Sequence, residues 1–494
     1  MSDGLVQLSS KKRGLAVVTP PPPPWEAVGA FLRALDEPAA RRTFDVQGRA
    51  LKTTASLCPQ CLAHVPALVF EQGGRVFARK LCPSHGPALA VLENDVAYYR
   101  LSSRDGTGRV FARELIDDHG DVADGACCAD GACTPQGENV TCTLLVEITN
   151  ACNLACRVCY ADSRGDRVMP LPEVTAHLTR ILDARGRLDS VQITGGEASL
   201  HPQFREIVAW LHAEPRVKKI YLPTNGLLLS RDADWLVAFR DKLIVLLQFD
   251  TVQGEANRPL RAADPQKPRL KVIEDLARLG VFLQLTMTIA RGTNEDDVAD
   301  VVQLALRHDH VKVVALQPAT SSGRYDLPLD PLDRATLSDV VKAVRSPRVD
   351  PAHFVPIPCS HPNCGWITLF FRRFGLVENL TRHVDLAQKR PALTNKALLS
   401  TDELRDVVGT QTATLLDRVK GAIGRRVVRS QDVFTVAVKP FMDKHTYDQD
   451  RIATCCHHLM DTRGNVTSFC EYNALLRPAD SWERFPVLPA ATSR

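Results

Sequence analysis

Residues 143–160 read Thr-Leu-Leu-Val-Glu-Ile-Thr-Asn-Ala-Cys-Asn-Leu-Ala-Cys-Arg-Val-Cys-Tyr, an apolar run giving way to Cys152, Cys156 and Cys159 in a CxxxCxxC pattern. The run over 143–149 has the length and apolar content of a buried strand, so the cysteines fall in the loop after it. Working outward toward the C-terminus, five more strand-like runs follow, at 191–194, 218–222, 243–249, 282–289 and 311–316, with helical patterns such as 202–212 between them. Strands separated by crossover helices are expected to lie parallel with right-handed connections. Six such units make an α/β fold, a partial (β/α)6 barrel over 141–325, whose chemistry belongs at the C-terminal strand ends.

Three thiolates can hold three irons of a 4Fe-4S cubane and leave the fourth iron open. The methionyl amine and carboxylate of S-adenosylmethionine can chelate that iron, which places the sulfonium within reach of an electron from the cluster. A structural zinc site is the plainer alternative, but such a site normally closes with four ligands. The second strand ends in Thr194-Gly195-Gly196-Glu197. There two glycines permit close backbone approach, and the carboxylate could bind the methionyl ammonium.

The cysteine triad, Tyr160 and the Gly195-Gly196-Glu197 turn resemble the radical S-adenosylmethionine (SAM) superfamily over about residues 141–325. The resemblance implies that Cys152, Cys156 and Cys159 carry the catalytic cluster. It also implies that reductive cleavage of SAM yields methionine and a 5′-deoxyadenosyl radical, which takes hydrogen from a C–H bond held beside it. Within that pattern Tyr160, Asn225 of Thr224-Asn225-Gly226, and Gln248 and Asp250 at the end of the fourth strand would face cofactor or substrate. A polar residue at a strand end can equally meet solvent or cap a helix. Reduced flavodoxin or ferredoxin is the electron donor the resemblance implies.

Upstream, Cys58-Pro-Gln-Cys61 and Cys82-Pro-Ser-His85 form two knuckle-like pairs about twenty residues apart. That spacing suits one tetrahedral ion, either zinc or a rubredoxin-like iron. Nine of the fifteen cysteines remain once three N-terminal and three central ones are set aside. They are Cys127, Cys128, Cys133 and Cys142 before the barrel, Cys359 and Cys364 in Pro-Cys-Ser-His-Pro-Asn-Cys, and Cys455, Cys456 and Cys470 near the C-terminus. Nine thiols allow one or two auxiliary 4Fe-4S clusters with one thiol over, although buried free cysteines are also common as small hydrophobes.

The whole layout from about residue 57 to 473 is similar to the tetraether lipid synthase family and its bacterial relatives, down to Ile-Pro-Cys-Ser-His-Pro-Asn-Cys and Phe-Cys-Glu-Tyr-Asn. That resemblance implies carbon–carbon coupling of lipid chains, with radical methylation of a pterin-type molecule as the alternative. The chain departs from the family loop at Asp130, where a middle cysteine is expected. A peptide-maturing radical enzyme fits the cysteine spacing after Cys456 less well. A non-catalytic metal-bound scaffold leaves the triad and the glycine turn without a role. The apolar stretch 366–374 could line an acyl tunnel or touch a membrane surface, or form a core strand.

Composition narrows the field further. Of 494 residues, 45% are hydrophobic, and 61 basic residues offset 57 acidic ones to leave a formal charge of +4. This is a globular balance without the concentrated basic field of a nucleic-acid binder. No apolar run reaches the roughly 20 residues that span a bilayer, which predicts a cytoplasmic protein that could at most touch a membrane peripherally. The expected organisation is a proline-rich leader and short helix to residue 52, a metal module over 53–105, a cysteine loop over 106–140, the barrel, and a cysteine-rich C-terminal extension over 326–494.

Overall fold

The computed structural model describes residues 24–103, 141–345, 349–357, 361–373, 376–381 and 432–489. Cys127, Cys128, Cys133 and Cys359, with Asp130, lie outside them.

The N-terminal module is an antiparallel meander of β1 (Arg49–Leu57), β2 (His64–Gln72), β3 (Arg75–Cys82) and β4 (Gly86–Glu93), paired in that order. Two helices, α1 (Pro24–Arg33) and α2 (Glu37–Phe44), precede it. The carboxylate of Asp36 accepts from Ala39 N at 2.8 Å and so caps α2. Where the sequence suggested a leader with one short helix up to residue 52, there are two helices, and β1 starts at Arg49. Leu32, Ala40 and Phe44 find an apolar sheet face at Ala50, Leu68 and Phe70, and burial against it holds the helices in place. Helix α3 (Val96–Ser103) ends the module.

The six strands read from the sequence are all present as β5 (Thr143–Thr149), β7 (Leu188–Gly195), β8 (Val217–Thr224), β9 (Leu243–Gln248), β10 (Phe282–Ile289) and β11 (Val311–Pro318). They pair in chain order, all parallel. Helices α4 (Leu171–Arg185), α5 (Phe204–Ala213), α6 (Arg258–Arg261), α7 (Gln266–Leu279) and α8 (Val298–Leu306) lie in the crossovers, and the main core they share with the sheet takes alternate residues of β9 while the others stay half-buried. Strand β5 is buried along its whole length, and one core runs from Leu144 and Ile148 through Ile193, Leu222 and Leu247 to Leu285 and Leu316.

The barrel stays open, because β5 and β11 each accept other partners. Two-residue strands β6 (Val158–Cys159) and β12 (Arg324–Tyr325) pair antiparallel across the cysteine loop. After α9 (Leu337–Ala343) come β13 (Val355–Pro356), β14 (Trp366–Arg373), β15 (Leu376–Asn379) and β16 (Val433–Val438). Of these, β16 pairs parallel with β11, and β14 pairs antiparallel with β16. After α10 (Gln449–Ala453), β17 (His457–Met460) pairs parallel with β5 and carries β18 (Val466–Ser468). The stretch that could have lined an acyl tunnel is therefore a sheet strand, β14, with Trp366 and Phe370 in the main core. Among the described residues no helix is long and apolar enough to cross a membrane.

Candidate active site and metal centres

The loop after β5 carries Cys152, Cys156 and Cys159, all half-buried. It is held by backbone. Gly196 N donates to Thr149 O at 2.9 Å, Glu197 N to Ala151 O at 2.8 Å, and Arg157 N to Leu260 O at 2.8 Å. Gly195 has φ +131, and a Cβ there would lie 2.1 Å from Thr149 O; one on Gly196 would lie 1.9 Å from Ala151 O. The close approach expected of these glycines is thus made by the cysteine loop itself.

Burial pushes the Cys152 thiol up to about 11, and the charges of Glu197, Cys156 and Cys159 add to the effect. A cation binding among the three sulfurs of this one loop displaces their protons, which suits an iron cluster. The residues present fit the three-cysteine cluster the sequence implies.

Glu197 is 2% exposed and already engaged. It accepts from Ser199 Oγ at 2.5 Å and Thr224 Oγ1 at 2.9 Å on one oxygen, and from Asn225 N at 2.8 Å on the other. Burial raises its carboxyl despite these donors. It ties the end of β7 to the end of β8, and the second oxygen, with one backbone donor, is the side left for a cofactor amine. Asn225 Nδ2 donates to Asn153 Oδ1 at 2.7 Å, linking β8 to the cysteine loop through a residue the sequence reading did not single out.

Asp250 is placed differently from expectation. It is fully buried and receives Arg261 Nε and Nη2 at 2.7 Å each, Thr288 N at 3.0 Å and Gln248 Nε2 at 2.7 Å. Against burial, the positive charges of Arg261 and Arg269 hold its carboxyl below the usual range. With its oxygens taken, it is held against two buried arginines. Gln248, spending its amide on Asp250 and Thr286 O, is part of the same lattice. Arg261 and Arg269 had no signal in the sequence, since nothing in the spacing marks which arginine turns inward.

Tyr160 turns its ring toward Phe441 and Phe469, at centroid distances of 5.4 and 5.5 Å. Its hydroxyl and that of Thr320 face one another, yet neither makes a well-directed hydrogen bond. Ser322 Oγ is also buried without a partner, and Arg324 Nε reaches only Asp162, at 3.8 Å. Residues 320–324 run against the Cys159–Tyr160 backbone, so these buried polar atoms collect beside the cluster loop.

In the N-terminal module Cys58, Cys61, Cys82 and His85 bring one donor atom each within 4.8 Å of one another. His85 Nδ1 lies 3.6 Å from Cys58 Sγ and 3.5 Å from Cys82 Sγ. Although burial opposes it, the backbone N–H groups of Cys61 and Gln60 draw the Cys58 thiol down to about 6. Among the described residues no other set of such donors is gathered as tightly, and the set fits a single tetrahedral ion.

A third set of thiols lies in the C-terminal region. Cys364 Sγ accepts from Arg451 Nε at 3.4 Å and Cys470 Sγ from Met442 N at 3.3 Å. Burial pushes Cys455 up to about 11 and Cys470 to about 12, and in both the charge of other cysteines in the set adds to the rise. Cys142 and Cys456 are buried neighbours where β5 meets β17, with Cys142 N donating to Cys456 O at 2.9 Å.

Comparison with known proteins agrees with this division. Residues 146–305 match the radical SAM superfamily, and residues 50–94 match the HMPTM N-terminal zinc ribbon domain. The chain is 23% identical over 498 residues to the 7,8-dihydro-6-hydroxymethylpterin dimethyltransferase of Methanocaldococcus jannaschii, covering 88% of this chain and 97% of that one. It is 32% identical over 177 residues to a GTP 3′,8-cyclase of Chlorobaculum tepidum, covering 35% of this chain and 53% of that relative, so it spans about half the cyclase's length. Among solved structures, Streptococcus suis SuiB bound to the precursor peptide SuiA aligns with a TM-score of 0.36 and 15% identity, over 42% of this chain and 45% of that one.

Proposed function

We propose that this chain, a radical SAM enzyme whose domain spans residues 146–305, transfers a methyl group to a pterin-type small molecule. The observation that carries this reading is the reach of the similarity to a pterin dimethyltransferase, over 97% of that protein. That length, 88% of this chain, is far more than the radical SAM domain alone. Ser322 Oγ, buried without a partner beside the cluster loop, is open to a polar neighbour, which a fused heteroaromatic ring offers and an alkyl chain does not. Lipid-chain coupling, implied by the family layout, keeps no such observation once 366–373 is a core strand.

The cluster on Cys152, Cys156 and Cys159, when bound with SAM, supplies a 5′-deoxyadenosyl radical. This chain's own residues do the positioning. Gly195 and Gly196 let the cysteine loop lie on β7, and Glu197, braced by Ser199, Thr224 and Asn225, offers an oxygen to the methionyl ammonium. Residues 323–325 brace the loop along the Val158–Tyr160 backbone. Cys364, Cys455 and Cys470, with thiols outside the described residues, would hold an auxiliary cluster. Reduced flavodoxin or ferredoxin would deliver the electron.

The test is anaerobic incubation of the reconstituted enzyme with SAM, a low-potential reductant and 7,8-dihydro-6-hydroxymethylpterin, read by mass spectrometry. A pterin product heavier by one or two methyl groups supports the reading. Turnover of an archaeal or bacterial lipid extract to coupled chains, with the pterin unchanged, would replace it.

A further inference from the structure

Helix α6 fastens to the cysteine loop at two points. Leu260 O accepts from Arg157 N at 2.8 Å, and Arg261 Nη1 donates to Val158 O at 3.3 Å, between Cys156 and Cys159. Arg261 is 5% exposed, and its other nitrogens are spent on Asp250 at 2.7 Å and Thr288 Oγ1 at 2.8 Å. Arg269 of α7 is fully buried and approaches the same carboxylate at 3.5 Å, with Asn257 Oδ1 at 3.2 Å and Asn225 O at 3.3 Å. Its Nη2 has no partner.

The lattice thus holds two guanidinium cations against one carboxylate. A net positive charge shut away from water is costly unless an anion lies beside it. The carbonyl that Arg261 Nη1 holds, Val158 O at 3.3 Å, lies between the ligands Cys156 and Cys159, so a cluster bound there is the anion in reach.

We infer that Arg261, oriented by Asp250 and backed by Arg269, is a positioning residue that supplies the buried counter-charge of the cluster on Cys152, Cys156 and Cys159 and sets its reduction potential. A four-iron core with three thiolates is anionic and gains a further negative charge when it accepts an electron. A fixed cation at the loop therefore favours the reduced form and raises the potential, the more so in a medium of low dielectric. This inference rests on the radical SAM reading alone and holds whatever the substrate.

The experiment is a redox titration of the reconstituted full-length chain, followed by electron paramagnetic resonance, with iron counted in every sample. Arg261→Gln is expected to lower the equilibrium for taking up an electron at least tenfold, about 59 mV for a one-electron couple, while Arg261→Lys stays close to the unaltered chain. Should Arg261→Gln fail to assemble the cluster, Arg269→Gln leaves the Val158 anchor in place and should shift the potential the same way. Equal potentials in fully loaded variants overturn the inference. So does loss of iron in both glutamine variants, which assigns the arginines to structure alone. If the unaltered chain takes up no barrel cluster, it is the radical SAM reading that fails.

Discussion

Gly196 lies where no side chain fits, because a Cβ on it would come within 1.9 Å of Ala151 O. The carbonyl belongs to the residue just before Cys152, so any outward push there moves the first cluster ligand. Gly196→Ala is therefore expected to lose most of the barrel iron and SAM cleavage while keeping the N-terminal ion. Iron and zinc counts per chain check this, and retention of a full complement of iron would contradict it.

Lys52 of β1 joins the N-terminal module to the C-terminal region through Asp448, at 2.6 Å, and Asp450, at 3.1 Å. Against burial, Lys52 pulls Asp448 down to about 2, whereas burial and then Asp448 leave Asp450 raised overall despite Lys52. A carboxyl lowered in the native state contributes stability above its unfolded value of about 3.9 and loses it as pH falls through the native one. Asp450, raised, takes a proton first and leaves the Lys52–Asp448 pair intact. The junction should thus hold through mild acid and give way between about pH 4 and pH 2. Limited proteolysis near residue 100 across that range checks it, and in Lys52→Met the same cleavage should occur near neutral pH.

Arg334 and Asp443 form a second buried tie, at 2.9 Å, between the segment after the barrel and the one after β16. Asp443 also accepts from Ser321 N, His445 N and Thr446 N. Asp443→Ala leaves a buried guanidinium unpaired and should cost about 3–5 kcal/mol. Denaturant unfolding reads this, with Asp443→Asn, which retains some acceptors, expected to lose less.

The N-terminal ion should be separable from the barrel cluster. Cys61 is exposed while Cys58 and Cys82 are buried, so Cys61→Ala opens the site without a core cavity. Loss of one metal ion per chain, with barrel iron and its spectrum retained, is the expected result. Elemental analysis of that ion also decides between zinc and iron.

The barrel was legible because its signals are local. Each parallel strand is a short apolar run, and the CxxxCxxC loop and Gly-Gly-Glu turn lie directly after two of them. The N-terminal site was legible for the same reason: two knuckles at hairpin turns need only short-range spacing. What stayed hidden depends on pairing between distant parts of the chain. Strands β14, β16 and β17 complete the sheet edges from segments far along the sequence, and no periodicity tells which edge they join. Asp250 was readable as a polar strand end, but its burial against Arg261 and Arg269 follows from how α6 and α7 pack. The roles of Asn153 and Thr320 likewise arise only when loops from different strands meet.

The most direct test of the central claim is to change Cys152, Cys156 and Cys159 to Ala together, reconstitute anaerobically with iron and sulfide, and measure iron and 5′-deoxyadenosine. The account predicts loss of about four irons per chain and of all SAM cleavage, with the N-terminal ion retained. Unchanged iron and unchanged cleavage would contradict it, and the three cysteines would then have to be ligands of something other than the catalytic centre.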